Sequence, residues 1–141
     1  MITIYQIKKI STGDSYIGST SGWPFGRWTD HFSTLQRNKH HSKPFQEAYV
    51  GSDLSDWQFN ILESNVPTAN RFIRERHWYE LVQPTLNGTS HISKAIARDV
   101  LYDRADDLIS QGISYRKISA ELGCSIGWLS NRNRRFIDGP V

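Results

Sequence analysis

The chain is poor in cysteine and lacks long apolar runs, and both absences limit what it can be. Cys124 is the single cysteine among 141 residues, so an internal disulfide is excluded and a reducing cytoplasm is the expected setting. No stretch approaches the roughly 18 consecutive apolar residues of a membrane-spanning helix. The N-terminal residues follow a strand pattern from the start, so neither secretion nor a membrane partner is expected.

The chain also lacks a large excess of charge of either sign, but its charged residues are unevenly distributed. The formal net charge is +3. Residues 1–90 carry nine Lys or Arg against eight Asp or Glu, whereas residues 108–137 carry five basic residues against one acidic residue. A basic C-terminal end on a nearly neutral body indicates a polyanion partner that binds there, and a solvated basic tail is the alternative.

Alternating apolar residues and turn residues predict a small sheet packed with helices. Residues 2–9 and 15–20 are predicted to form a hairpin, and residues 56–62 a third strand. Helical spacing of apolar residues predicts helices at 25–38, 44–50 and 68–82. Pro84 and Gly88 mark a loop, and we place the end of the first domain at residue 90. The sequence therefore predicts an α+β fold for residues 1–90.

The hairpin register determines where two tyrosines lie. If Ile10 faces Ser15, Tyr5 and Tyr16 share one face of the ribbon but are about four residues, roughly 14 Å, apart. We therefore expect no contact between them unless a bulge intervenes. In the helix at 68–82 we expect a buried stripe that includes the following residues: Phe72, Ile73 and Tyr79, with part of Trp78, Leu81 and Val82.

Several polar side chains of this domain suit phosphodiester hydrolysis, which needs an activated water and stabilisation of charge on phosphorus. Arg27 offers a planar, permanently charged fork for phosphate. His31, one helical turn later, could shuttle a proton or donate a hydrogen bond. Glu75 is the candidate ligand of a Mg²⁺ that keeps several waters. Tyr5 is the candidate general base or water-positioning residue, and Tyr16 would bind the phosphate or the same water.

Each of these residues also has an ordinary structural explanation when it is taken alone. Strand tyrosines usually pack, and a helix glutamate usually forms salt bridges. Asn87 either orients the phosphate and closes the site, or it simply forms a turn. His40, His41 and Lys43 are candidate DNA contacts, although loop histidines are usually incidental.

Taken together, the order and spacing of these residues resemble the GIY-YIG nuclease family over roughly residues 1–90. The tyrosine pair comes first, then an arginine and a histidine four apart, then a glutamate three residues before Trp78, and finally an asparagine. Thr3 stands where the name-giving glycine of the family is expected, in a strand position that accepts threonine. The resemblance implies a small three-stranded antiparallel sheet flanked by helices, with one Mg²⁺ or Mn²⁺ per active site. It also assigns catalytic and metal-binding places to the following residues: Tyr5, Tyr16, Arg27, His31 and Asn87 as catalytic residues, and Glu75 as the metal ligand.

Residues 91–141 are predicted to form a small all-α module that resembles a helix-turn-helix. Ser119, Gly123 and Leu129 have the spacing of the small residue, turn glycine and apolar anchor of such a unit. Resolvase-like and phage regulatory proteins contain similar segments. The second helix carries side chains of the types that read bases and hold phosphates, and the candidates are Trp128, Asn131, Arg132, Asn133, Arg134 and Arg135. A helical dimerisation cap is the alternative.

The two resemblances imply a metal-dependent, site-directed DNA endonuclease of homing or phage type. Residues 1–90 would cut double-stranded DNA and residues 91–141 would target it. We expect a cytoplasmic protein of a bacterial or phage-infected cell, acting as a monomer or as a DNA-induced dimer. A small restriction or repair nuclease and a DNA-binding regulator that no longer turns over are the rival interpretations, and the intact catalytic set favours cleavage over the regulator.

Overall fold

The structure, a computed structural model, describes residues 1–138, except for the side chains of His91 and of residues 134–138. The chain divides into two compact units, Met1–Ile92 and a second unit that begins at Ser93. This division falls close to the predicted end of the first domain at residue 90. Within the described residues, no helix is both long enough and apolar enough to cross a membrane.

The first unit contains one three-stranded sheet, three α-helices and two short 3-10 turns. The strands are β1 (Ile2–Lys9), β2 (Ser15–Thr20) and β3 (Trp57–Val66). The helices are α1 (Pro24–Gln36), α2 (Lys43–Tyr49) and α3 (Arg71–Val82), with the 3-10 turns at Leu54–Asp56 and Thr68–Asn70. β1 lies in the centre and pairs antiparallel with both neighbours. The predicted α+β architecture is confirmed.

The sheet is covered by apolar side chains on both faces because β1 is central and its residues alternate. Tyr5, Ile7 and Tyr16 belong to one core cluster, together with Phe32 of α1 and Phe45 of α2. On the other face, a second cluster joins the following residues of the sheet and of α3: Ile2, Ile4, Ile17, Leu62, Val66, Trp78 and Val82. β2 therefore has α1 and α2 on one side and α3 on the other.

Two predictions about the first unit were wrong in detail. β3 continues to Val66, beyond the predicted end at residue 62. The β1–β3 ladder has register shifts between Ile2 and Tyr5, and the pairing resumes after them, so that Ile2 pairs with Val66. In α3, Ile73 is 65% exposed, although it was expected to be buried. The helix side that faces the sheet contains Glu75, Trp78 and Val82. A buried glutamate within the stripe turns the expected apolar residues outward, as for Phe72, Ile73 and Leu81.

The second unit is helical and contains α4 (His91–Ser110), α5 (Tyr115–Leu122) and α6 (Ile126–Asp138). Its core consists of buried residues from all three helices, and these are Ala105, Leu108, Ile118 and Leu129. Gly123 ends α5 at φ +69°, a conformation that suits glycine. The Ser119 hydroxyl donates to the Cys124 carbonyl at 2.6 Å across the turn. Ser119 thus lies on α5, Gly123 in the turn and Leu129 in the core on α6, and the helix-turn-helix stays a prediction.

Candidate active site

The hairpin brings Tyr5 and Tyr16 closer together than predicted. Tyr5 pairs with Gly18, so the loop comprises residues 10–13 and the two tyrosines are offset by two residues along the ribbon. Their ring centroids lie 6.5 Å apart. The expected separation of about four residues was wrong because the turn closes one residue earlier: Gly13 adopts φ +78° and its N–H donates to the Lys9 carbonyl at 2.8 Å.

Gly18 provides the space in which the Tyr5 phenol lies. A Cβ atom at residue 18 would stand 2.5 Å from the Tyr5 hydroxyl oxygen and 3.0 Å from a ring carbon of Tyr16. Such distances are far below normal contact, so any larger residue must displace the phenol. The glycine of the Tyr16-Ile17-Gly18 motif is therefore a steric requirement of the site.

A chain of hydrogen bonds links the Tyr5 hydroxyl to the backbone of Ser42, the residue that caps the start of α2. Tyr5 Oη lies 2.7 Å from His31 Nε2, and His31 Nδ1 lies 2.8 Å from His40 Nε2. The Ser42 backbone N–H donates to His40 Nδ1 at 3.0 Å. Because a backbone amide can only donate, His40 Nδ1 carries no proton, and a neutral His40 must donate through Nε2 to His31 Nδ1. A neutral His31 then donates through Nε2 to the Tyr5 oxygen.

Burial keeps both histidines in the neutral form that this chain requires. Desolvation, aided by the charge of Arg27, lowers the pKa of His31 to about 3. Desolvation, aided by His41, lowers the pKa of His40 to about 4. Of the two roles that the sequence left open for His31, this geometry favours the fixed hydrogen-bond donor over the proton shuttle near neutral pH.

Burial also holds both tyrosines in the phenol form. Desolvation raises the pKa of Tyr16 to about 12, and desolvation together with Tyr16 raises the pKa of Tyr5 still more strongly. Arg27 opposes both shifts because its positive charge favours a phenolate. Since His31 donates to Tyr5, the Tyr5 hydroxyl proton has no acceptor among the described residues and is available to a molecule in the cleft.

The site opens into a cleft of about 260 Å³. Six of the predicted residues line it, and these are Tyr5, Tyr16, Arg27, His41, Glu75 and Asn87. His31 lies behind Tyr5 and is 1% exposed, so it acts on the cleft through the tyrosine. The fold thus brings residues from a hairpin, two helices and two loops to one place.

Glu75 lines the cleft together with Ser19 and Arg71, two residues that the sequence did not single out. The Ser19 hydroxyl donates to Glu75 Oε2 at 2.8 Å. Arg71 donates from Nε to the Ser19 hydroxyl oxygen at 2.8 Å and from Nη2 to the Ser19 carbonyl at 3.0 Å. Because the guanidinium can only donate, the serine proton points to Glu75. Glu75 Oε1 has no hydrogen-bond partner among the described residues.

Arg71 was overlooked although its position could be found from the sequence. Arg71 and Glu75 are four residues apart in one helix and therefore lie on the same face. The arginines directly adjacent to Glu75 in the sequence have acidic partners of their own. The structure shows that Arg74 binds Glu63 at 3.0 Å and Arg76 binds Glu80 at 2.8 Å. Ser19 gave no signal of its own in the sequence.

Asn87 supports the site through the backbone of β2. Its Oδ1 accepts from the Ile17 N–H at 2.9 Å and its Nδ2 donates to the Ile17 carbonyl at 2.7 Å. β2 is an edge strand, so this amide takes the place of a missing neighbouring strand. The geometry gives Asn87 a positioning role for the segment that carries Tyr16 and Gly18, and its predicted phosphate contact stays a prediction.

The predicted DNA contacts of the first unit have different outcomes. Both ring nitrogens of His40 are bonded inside the unit, which corrects its predicted phosphate contact. His41 is exposed, lines the cleft and has its Nε2 3.5 Å from the Tyr16 hydroxyl. Lys43 is exposed at the start of α2, and its DNA contact stays a prediction.

In the second unit, three predicted base or phosphate contacts are directed inward. Arg132 binds Asp106 through two hydrogen bonds of 2.7 Å. Asn133 donates to the Tyr115 hydroxyl at 2.7 Å, and Trp128 is half-buried with its ring 5.4 Å from that of Tyr102. These contacts correct the expectation that Arg132, Asn133 and Trp128 face outward. Asn131 is exposed as expected, and the side chains of Arg134 and Arg135 lie outside the described residues.

Comparison with solved structures identifies the fold. The catalytic domain of the homing endonuclease I-TevI matches with a TM-score of 0.54 and 26% identity, over 62% of this chain and 95% of that chain. The chain has the GIY-YIG fold. A mutant of the catalytic domain of intron endonuclease I-TevI matches with a TM-score of 0.55 and 26% identity, over 64% of this chain and 93% of that chain. No protein-family model and no curated protein sequence matches the chain.

Proposed function

We propose that this GIY-YIG chain is a divalent-metal-dependent endonuclease that hydrolyses double-stranded DNA at chosen sites, as a homing-type or phage nuclease does. The observation that carries the proposal is the single cleft in which two tyrosine hydroxyls, the guanidinium of Arg27 and the carboxylate of Glu75 meet. The structural similarity to the catalytic domain of a homing endonuclease supports it.

The donor set of the cleft fits one Mg²⁺ or Mn²⁺. Among the described residues there is no group of three histidine, cysteine or acidic side chains that could enclose an ion. Glu75 alone offers a carboxylate oxygen, Oε1, since Ser19 binds the other one. Mg²⁺ is commonly held by one or two carboxylates and keeps several waters, and a cleft of about 260 Å³ has room for them. The ion would neutralise charge on the phosphate and the leaving oxygen.

Arg27 is the residue best placed to bind the scissile phosphate. It lines the cleft beside Tyr5 and has no carboxylate partner among the described residues. Its planar fork can hold two phosphate oxygens and stabilise the additional charge of the pentavalent transition state. Tyr16 presents a second donor to the same phosphate from the adjacent strand.

Tyr5 is proposed to accept the proton of the attacking water. A phenol accepts a proton only as phenolate, a form that burial disfavours here, so the Tyr5 hydroxyl must first release its own proton to solvent through the cleft. The His31 N–H and Arg27 both stabilise the phenolate, and a cation near Glu75 adds to their effect. The histidine chain therefore fixes a donor on the side of the Tyr5 oxygen that faces away from the substrate.

The second unit is proposed to bind and select DNA through a helix-turn-helix. With Arg132 and Asn133 directed inward, the exposed positions among the α6 side chains that the structure describes are those around Gly127 and Asn131. A Cβ at Gly127 would meet nothing within 4 Å, so neither packing nor φ demands glycine there. A bare helix backbone permits close approach to DNA, and asparagine can pair with an adenine edge.

The decisive experiment is incubation of the purified chain with supercoiled plasmid, with Mg²⁺ and with chelator. We expect nicked circles to form before linear DNA, since one active site attacks one phosphate and a second cut needs a DNA-induced dimer or a second encounter. Glu75→Ala should abolish cleavage and retain DNA binding. Glu80→Ala, an exposed glutamate of the same helix, is the matched control and should cut normally. Binding by the wild type without cleavage would instead support a regulator.

A further inference from the structure

Arg27 and Arg71 combine a position in the cleft with the absence of a carboxylate partner among the described residues. Both line the cleft, and within the described part of the chain neither forms an ion pair. Other arginines are neutralised, in the pairs Arg74–Glu63, Arg76–Glu80, Arg98–Asp99, Arg104–Glu121 and Arg132–Asp106. Two unneutralised guanidinium groups in one cleft indicate a ligand with more than one negative charge.

Arg71 is held in a fixed orientation by neutral groups. Nε and Nη2 donate to the hydroxyl and carbonyl oxygens of Ser19, so the guanidinium keeps its full charge while one edge is immobilised. The Nη1 group has no partner among the described residues. An arginine that is preorganised in this way loses little side-chain entropy when it binds an anion.

Arg71 and Arg27 reach the cleft from opposite faces of β2. Arg71 starts α3, and its partner Ser19 alternates with Gly18, the residue against which the Tyr5 phenol lies. Arg27 belongs to α1, which packs on the tyrosine face of the sheet. A strand of DNA in the cleft would therefore meet the two guanidinium groups at different points along its backbone.

We propose that Arg71 forms a second phosphate subsite, which binds a phosphate of the cleaved strand next to the scissile phosphate held by Arg27. The inference rests on the proposed nuclease function. Its ligand is a backbone phosphodiester, and its effect is to fix the position of the strand relative to Glu75. Arg71 contributes to strand binding, whereas Arg27 contributes to the transition state.

The first test compares the salt dependence of DNA binding by the full chain without divalent ions. Removal of one phosphate contact should lower the slope of log K against log salt by about one unit. We expect this change for Arg71→Ala and a retained slope for Arg71→Lys, which keeps the charge. Arg76→Ala, on the same helix but bound to Glu80, is the matched control and should bind like the wild type. An unchanged slope in a folded Arg71→Ala variant would overturn the subsite.

The second test locates the phosphate. After the cleavage position is mapped, each neighbouring phosphate of a duplex is replaced in turn by an uncharged methylphosphonate. One replacement should weaken binding and cleavage by the wild type several-fold and have no further effect on Arg71→Ala. If Arg71→Ala loses rate at saturating DNA with its interference pattern unchanged, Arg71 acts only through Ser19 and Glu75, and the subsite is refuted. A wild type that binds but never cuts would refute the nuclease proposal while the salt slope still decides on Arg71.

Discussion

The two units use arginine in opposite ways. In the first unit, Arg27 and Arg71 line the cleft without an acidic partner among the described residues. In the second unit, Arg132 binds Asp106 through two hydrogen bonds and stacks at 4.2 Å over Tyr102. Arg104 of the same unit pairs with both Asp107 and Glu121. The cleft of the first unit therefore presents unneutralised cations, whereas the second unit binds part of the charge of its basic C-terminal run internally.

This difference shows that net charge along a sequence does not locate a binding surface. The basic run at 132–135 suggested a DNA-binding face, yet its first arginine stabilises the packing of α6 on α4. Arg71 lies in a segment with almost balanced charge and was overlooked. What matters is whether a carboxylate reaches the guanidinium, and that depends on helix faces and strand register.

The largest expected effect is on the rate of DNA cleavage and concerns Arg27 in the cleft of the first unit. Loss of one preorganised charge from a transition state costs roughly 10² to 10³ in rate. Arg27→Ala should therefore lower turnover by about this factor and change DNA affinity much less, and Arg27→Lys should recover only part of the loss because the planar fork is gone. The measurement is single-turnover cleavage together with binding. Arg37→Ala, an exposed arginine at the end of α1, is the control and should cut normally.

Most of the fold could be predicted from the sequence because its signals are local. Alternation and turn residues located β1 and β2. The start of α6 could be located from its capping residue Ser125, whose side chain accepts from the Trp128 N–H at 3.1 Å. The predicted hairpin register was wrong by one residue because several adjacent residues of the loop are suited to a turn. The prediction of which α3 side chains are buried was wrong because a polar residue, Glu75, belongs to the side of the helix that faces the sheet.

The residues of the candidate site could be predicted from the sequence, but the contacts and hydrogen bonds between them could not. Gly18 belongs to a motif that the sequence displays, but its steric relation to Tyr5 depends on the register. The chain from Ser42 through His40 and His31 to Tyr5 joins three segments: the loop before α2, helix α1 and strand β1. No local pattern contains such tertiary hydrogen bonds. The same holds for Asn87, whose amide pairs with the backbone of Ile17 70 residues away.

A second prediction tests whether the histidine chain positions Tyr5. His40→Ala removes the donor to His31 Nδ1 and frees His31 to adopt the other tautomer. By analogy with outer-shell partners of metal ligands, we expect a loss of about 10- to 100-fold in turnover with little change in DNA binding. His41→Ala removes a neighbouring cleft histidine that lies outside this chain, and it should weaken DNA binding more than turnover. Equal effects of the two substitutions would contradict the positioning role of the histidine chain.

A third prediction addresses the basic helix. Arg132→Ala should destabilise the second unit by about 1–3 kcal/mol, because it removes hydrogen bonds to a charged partner and leaves Asp106 unpaired. Asn131→Ala should change stability by less than about 0.5 kcal/mol, since the residue is exposed, and should relax base preference at one position. Denaturant unfolding and binding-site selection measure the two effects. The reverse assignment, with Asn131→Ala destabilising and Arg132→Ala altering base preference, would restore the sequence-based interpretation of the helix.

The smallest expected effect is a difference in the pH dependence of stability between the units. The pKa of His31 is about 3 and that of His40 about 4 in the folded chain, below the usual 6.5. Below pH 6.5 the unfolded state therefore binds more protons than the folded state, so the free energy of unfolding is fully retained above pH 6.5 and falls as the pH is lowered. The slope for one such group approaches about 1.4 kcal/mol per pH unit. Residues 93–141 contain no histidine, so the second unit should show no such loss.

Unfolding followed between pH 7 and pH 5, above the range where most carboxylates titrate, separates these cases. Hydrogen exchange of β1 and β2 reports on the first unit, and exchange of α5 reports on the second. His31→Asn should reduce the slope of the first unit, because it removes the more deeply buried histidine. His77→Asn, an exposed histidine of α3, is the matched control and should leave the slope unchanged. If both units lost stability in parallel, or if His77→Asn had the larger effect, the neutral histidine chain behind Tyr5 would be the wrong description of the site.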